Sequence, residues 1–529
     1  MTFDSAPAIV AVTLVTLATL TIGTWGLRFS RTTSDFYVAS RSVRPGLNAS
    51  AIGGEYLSAA SFLGVAGLVF TSGAEMLWYP IGWTAGYLVL LTLVAAPLRR
   101  SGAYTLPDFA EERLASTGVR RLCSLLVVTI GWLYLLPQLQ GAGLTLELVA
   151  DAPRWVGPVL VGTVVLVSVF SGGMRSITFV QAFQYWLKLT ALLIPAGVLV
   201  AVWGSDGAPR ATDLSQAWSL PMGTDGSAGL YATYSLIAAT FLGTMGLPHV
   251  GVRFYTNPDG RAARRTTLVV LALLGVFYLL PPIFGLLGRV YAATPASADT
   301  LVLELPRLMV PGWAGDALTG LVCAGAFAAF LSTSSGLAIA VSGVLSQDVV
   351  VPLLRHRGSR FGGVAAFRIA SLVAVFVPVT GALLTPSVGV ARGVALAFAL
   401  AAATFCPLLL LGIWWRRLTA YGAATGLVTG LITTGTAVIV TISGWRTDTW
   451  ADVALTQPAL WAVPLSFAVM IVVSLASAAH IPAHTTRLLV RLHSPEPTIE
   501  PAAQRGPTRP GSTEPDPVGT HRSSVRAEG

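Results

Sequence analysis

Charge is scarce in this chain. Only 11% of its 529 residues are Asp, Glu, Lys or Arg, while 54% are hydrophobic. The mean hydropathy is +0.71. Soluble globular domains carry about a quarter charged residues, so that class is excluded and a polytopic membrane protein is implied. Length then predicts one helical bundle rather than several domains. Cysteine is nearly absent too: Cys123, Cys323 and Cys406 each lie in or beside an apolar run. That excludes a disulfide framework and leaves packing as their role. The chain also lacks G-x-S-x-G, H-E-x-x-H, a Walker loop and any Cys/His metal spacing. No enzyme chemistry and no use of ATP is expected from it, and no organic cofactor. The net charge of +9 comes from Arg in short loops. Without a clustered basic face, no nucleic-acid partner is implied.

What is present is a succession of apolar runs, each near the ~20 residues a helix needs to cross a bilayer. They fall at 7–27, 47–72, 76–98, 122–149, 155–171, 176–203, 229–251, 266–290, 314–347, 363–385, 388–415, 420–443 and 458–480, which predicts thirteen spans. The first lacks the basic start and cleavage site of a signal peptide and reads as a retained helix. The stretch 317–347 has no charge and exceeds a bilayer's thickness, so tilt or protrusion is expected. Arginine alternates between sides of the membrane. One set of loops holds Arg28, Arg31, Arg41, Arg44, Arg99, Arg100, Arg113, Arg120, Arg121, Arg175, Arg253 and Arg261, continuing to Arg417; the other holds only scattered ones such as Arg154 and Arg289. The bias predicts an outside amino terminus and a cytoplasmic carboxyl terminus. A transmembrane domain over 1–485 is expected, with a disordered tail over 494–529, rich in Pro, Glu, Arg, Ser and Thr.

The stretch GLNASAIGGEYLSAASFLGVAGLVFTSG (46–73) organises the rest. Its one charge is Glu55, preceded by Gly53-Gly54. Two glycines weaken a helix by about 1 kcal/mol each relative to alanine, which predicts that the span opens there. Unwound backbone at membrane depth survives only where it lines a site, and carriers use its freed carbonyls to hold ions. A second stretch, CAGAFAAFLSTSSGLAIAVSGVLSQD (323–348), carries Ser332, Thr333, Ser334 and Ser335 in a row. On a helix, Ala329, Ser332 and Thr333 share one face. Hydroxyl and carbonyl oxygens together suit a small hard cation. The plainer role is a bond back to the i−4 carbonyl or helix–helix glue.

At these stretches the chain resembles the solute:sodium symporter family, and within it the acetate/monocarboxylate permease branch. The matching runs are DFYVASRSV (35–43), GGEYLSAASFLGVAGLVFTSG (53–73), YTLPDFAEERL (104–114), GLPHVGVRFYTNPDGRAAR (246–264) and AAFLSTSSG (328–336). The resemblance implies an all-helical, LeuT-like fold of two inverted five-helix repeats, here 47–203 and 229–415, with one helix before and two after. It also implies a sodium site built from the carbonyls of Gly54, Leu57 and Ala329 and the hydroxyls of Ser332 and Thr333. Some relatives bind a second sodium through an Asp and two further serines. Here the Asp position reads Gln181 and the serine positions read Ser335 and Gly336, so one sodium per cycle is expected. Sugar carriers place Gln and Glu where this chain has Ser61 and Pro80. A smaller, less polar pocket remains, suited to acetate, propionate or pyruvate.

Glu55 could sit near the ion, titrate in coupling, or be a structural partner of an Arg. Lys188, mid-span, could attract a carboxylate or pair with Glu55; the plainer reading is that it faces a polar crevice or snorkels. Both are coupling candidates. Ser61, Trp83 and Tyr234 are expected to line the substrate pocket, and His249 to make a structural hydrogen bond. The sequence therefore predicts a sodium-coupled symporter of a short-chain monocarboxylate in a prokaryotic plasma membrane. The alternatives are proton coupling, another cargo such as proline, and a membrane solute sensor.

Overall fold

Long apolar helices account for the whole architecture of the computed structural model, which describes residues 5–25, 38–211, 216–220, 222, 226–292, 298–356, 363–387, 389–444 and 450–495. The expected tail beyond 495, and Arg28, Arg31, Arg357, Arg360 and Arg446, lie outside the described residues. Among those described, eleven runs are long and apolar enough to cross a membrane, against the thirteen spans expected. Two of the eleven, 60–101 and 156–205, are broken at glycines with positive φ, Gly73 (82°) and Gly173 (55°). These breaks fall where the sequence reading divided spans, and glycine is the residue that takes such a φ without strain.

The principal helices are α1 (Ala6–Trp25), α2 (Pro45–Tyr56), α3 (Val65–Ser72), α4 (Trp78–Val89), α5 (Leu106–Leu114) and α6 (Thr117–Ala150). Then come α7 (Val156–Ser205), α8 (Gly226–Gly246), α9 (Pro248–Tyr255), α10 (Gly260–Phe277), α11 (Pro281–Tyr291) and α12 (Leu301–Met309). The chain continues with α13 (Trp313–Leu345), α14 (Gly363–Leu384), α15 (Val390–Trp414), α16 (Ala420–Ser443), α17 (Ala459–Ala476) and α18 (Thr485–His493).

The centre of the bundle is α13. Every residue from Val322 to Val344 is buried, as a helix apolar on all sides must be. It packs on α1, α6, α7 and α14. Its 33 residues reach about 50 Å at 1.5 Å per residue, so the charge-free stretch does exceed one bilayer thickness. Small residues set the approach: a Cβ on Gly325 would stand 2.5 Å from Ala191 Cβ and from the Phe62 ring. Against this column lie α2 and α7, which also pack on each other.

On the polar end of the bundle, Thr105 and Asp108 form a reciprocal cap at the start of α5. Asp108 also pairs with Arg120 at 2.8 Å. Burial raises the Asp108 carboxyl above its ordinary range, while Arg120 and the capping bonds pull it back. Arg113 is buried and donates to the carbonyls of Gly412 (2.9 Å) and Trp415 (3.0 Å) at the end of α15. It belongs to the interior rather than to a loop, where the charge pattern put it. The last described helix, α18, is held by Arg491 to the Ser101 carbonyl (2.8 Å) and by Arg100 to the Leu492 carbonyl (3.2 Å).

A broken helix and the cage opposite it

The helix containing Glu55 does open at membrane depth, but not at the glycine pair. Gly53 and Gly54 lie within α2, and the break comes at Leu57 and Ser58, where Leu57 takes ψ 84°. The glycines serve contact instead. A Cβ on Gly54 would stand 2.0 Å from the Gln181 carbonyl oxygen, and one on Gly53 2.8 Å from the Tyr185 ring. They let α7 press onto α2, which positions everything that follows.

The break is held open by bonds that take the helix's own donors and acceptors. The Ala59 N–H, which a continuous helix would give to Glu55, goes to Gln138 Oε1 at 3.0 Å. The freed Glu55 carbonyl accepts from Thr333 Oγ1 at 2.6 Å. Gly54 and Leu57 carbonyls face Ser332, and the three oxygens converge on one atom, Lys188 Nζ, at 2.5, 2.6 and 3.0 Å. Ser332 Oγ also lies 3.2 Å from the Ala329 carbonyl. Three of the oxygens named for an ion site, those of Gly54, Leu57 and Ser332, thus meet at one atom, with the Ala329 carbonyl beside Ser332 Oγ, in a donor set that fits a hard cation; Thr333 Oγ1 is turned to the Glu55 carbonyl. What the sequence did not foresee is that Lys188 reaches into it. Lys188 neither snorkels nor bonds to Glu55.

Glu55 pairs instead with Arg253 on α9, at 2.5 Å with side chains 3% and 1% exposed. Arg253 also donates to Thr178 Oγ1 at 2.9 Å. Arg253 was counted with the loop arginines and is corrected to the buried core. A cation so placed leaves no signal in local hydropathy, because FYTNPDGRAAR follows it directly. Gln181 donates to the Ser332 carbonyl at 2.8 Å, and a Cβ on Gly336 would stand 2.1 Å from Glu55 Oε1. The side chain a second ion would want at 336 is thus excluded by the Glu55 carboxylate.

Beside the break lies a cluster of buried aromatic side chains. Tyr56, the last residue of α2, meets Tyr87 edge-on at 4.8 Å between centroids and Phe398 at 6.2 Å. Trp83 stands 5.3 Å from Tyr79, 6.0 Å from Tyr278 and 5.7 Å from Phe398. Ser61 Oγ is 2.9 Å from Tyr278 Oη. Ser61 and Trp83 are buried in the interior beside the opening. Tyr234 is not: it is 51% exposed on α8, and the expectation that it stands with them is corrected. His249, 5.5 Å from Tyr134, has both ring nitrogens buried and unpartnered, so its expected structural hydrogen bond is not made. Gln138 Nε2, Trp83 Nε1 and Tyr87 Oη are likewise buried without partners. Buried donors are nearly always satisfied, so such a group calls for a ligand or water. Gln138 and Tyr278 were missed by sequence reasoning; a Gln after Pro137 inside an apolar span was the available signal for the first.

A helix opened at membrane depth, facing an unbroken helix through carbonyl and hydroxyl oxygens, defines a secondary membrane carrier. Residues 36–430 match the model of the Sodium:solute symporter family, and the chain belongs to that family. It is 32% identical over 476 residues to an uncharacterised symporter, YwcA, of Bacillus subtilis (strain 168), covering 85% of this chain and 90% of that protein. Its fold is similar to that of a substrate-bound, outward-open Na+-coupled sialic acid symporter, with TM-score 0.64 and 14% identity over 88% of this chain and 98% of the other. It is also similar to the nucleobase-cation-symport-1 transporter MHP1 in a closed conformation, with TM-score 0.54 and 14% identity over 87% and 99% of the two chains.

Proposed function

We propose that this protein imports a short-chain monocarboxylate, such as acetate, propionate or pyruvate, across a prokaryotic plasma membrane by symport with sodium. The observation that carries this reading is the meeting of the Gly54 and Leu57 carbonyls with Ser332 across the break in α2. Sodium would be held by those oxygens with Ala329 and Thr333, and one ion would move per cycle. The amino terminus would face outward and the carboxyl terminus the cytoplasm. Repeats over 47–203 and 229–415 would rock about the cage.

The buried aromatic cluster beside the break supports this cargo. Its unpartnered donors, Gln138 Nε2, Trp83 Nε1 and Tyr87 Oη, suit the oxygens of a carboxylate. Its walls of Tyr56, Trp83, Tyr278 and Phe398 suit a short apolar remainder and offer few acceptors for a sugar's hydroxyls. Ser61 sits at its edge beside Tyr278.

The test is uptake of labelled acetate, propionate and pyruvate into proteoliposomes under an imposed sodium gradient at fixed pH, with proline and galactose as competitors. Accumulation of an acid that collapses without the gradient is expected. Uptake of none of the acids would overturn the cargo.

A further inference from the structure

Lysine is almost eliminated from this sequence. Lys188 is the one lysine among 33 basic residues, and its ammonium sits in the cation cage. It is fully buried. An ammonium has three donors, and all three find an oxygen: Gly54 O at 2.5 Å, Leu57 O at 2.6 Å and Ser332 Oγ at 3.0 Å. These are three of the five oxygens assigned to sodium. The ion and the ammonium therefore need the same lone pairs within the same few ångströms.

Charge forbids both at once. The charged group acting on Lys188 is Glu55 from α2, with Arg253 from α9 bonded to it, and α13 meets Lys188 through the Ser332 hydroxyl. Glu55 is already bound to Arg253. Among the described residues the buried cluster thus holds one carboxylate and two cations, with no further carboxylate to offset sodium.

We propose that Lys188 is a tethered competitor for the cage: its ammonium and a sodium ion are alternative occupants, and sodium enters only when the lysine side chain swings out. Lys188 then sets how strongly the carrier depends on external sodium. The inference rests on reading the cage as the ion site, but not on the identity of the cargo.

The experiment is sodium titration of the purified full-length protein at fixed pH and ionic strength, with choline balancing the salt. Binding is read by tryptophan fluorescence and by thermal unfolding, in the wild type and in Lys188→Ala, Lys188→Met and Lys188→Arg. Removing the ammonium should tighten sodium binding at least tenfold and make the thermal midpoint of Lys188→Ala sodium-dependent. Lys188→Arg keeps a cation and should not gain sodium affinity. Should Lys188→Ala unfold without salt, its rescue by sodium but not choline reads the same property. Because the chain has one lysine, peptide mass spectrometry after amine labelling gives a second reading: sodium should raise Lys188 modification in the wild type. Equal sodium affinity in wild type and Lys188→Ala, or no sodium response in either, would overturn the proposal. Sodium-indifferent uptake by the wild type with sodium-dependent uptake by Lys188→Ala would uphold it and overturn sodium drive in the wild type.

Discussion

Glu55 and Arg253 show how far a single buried residue is from what its surroundings in sequence announce. Glu55 stood out as the sole charge in an apolar span, so its importance was legible. Its partner was not, because Arg253 ends α9 beside a polar loop and resembles any loop arginine. Removing one member of such a pair leaves an uncompensated buried charge, at about 3–5 kcal/mol. Glu55→Gln and Arg253→Met should each lower the thermal midpoint sharply, and the double variant should recover part of the loss. Additive losses in that cycle would mean the two do not act as a pair. Gly54 offers a second residue-scale prediction. Its Cβ would meet the Gln181 carbonyl at 2.0 Å, and backbone there cannot yield. Gly54→Ala should cost at least about 1–3 kcal/mol, the scale of overpacking, whereas a glycine needed only to weaken a helix would tolerate alanine or gain from it. Thermal unfolding separates the two.

Among elements, the broken helix is the instructive case. Local propensity points to Gly53-Gly54 as the weak place, and it errs by three residues. The opening is decided by what can satisfy the freed groups, and those partners lie far away in sequence: Gln138 on α6 for the Ala59 N–H and Thr333 on α13 for the Glu55 carbonyl. No single-stretch reading can see such pairings. The hydroxyl cluster on α13 was legible because the i, i+3, i+4 spacing of Ala329, Ser332 and Thr333 is a local property. Gln138→Leu should leave the Ala59 N–H unpaired, costing about 1–3 kcal/mol, and should lower solute affinity because the same side chain holds the break open and carries a buried, unpartnered Nε2. A variant with wild-type stability and uptake would remove Gln138 from the gap's support. Tyr234 failed for a related reason: membership of a core helix was legible, but not which face turned inward.

For the whole molecule, composition and the apolar runs were enough to place the chain in a membrane as a single helical bundle, and the five matching motifs were enough to name its family. Glycines at 73 and 173 break two long helical runs where the sequence already divided its spans. Lys188 stood out as a coupling candidate, but its partners were not legible, because only three-dimensional convergence on the Gly54, Leu57 and Ser332 oxygens reveals its place. Three helices meet there: α2 brings the Gly54 and Leu57 carbonyls, α13 the Ser332 hydroxyl and α7 the Lys188 ammonium.

The claim on which this account turns is that α2 and α13 build one cation cage. Sodium-dependent thermal stabilisation tests it, comparing Lys188→Ala with the triple variant Lys188→Ala/Ser332→Ala/Thr333→Ala. Sodium should stabilise the single variant and leave the triple variant unmoved; equal stabilisation of the two would contradict the account.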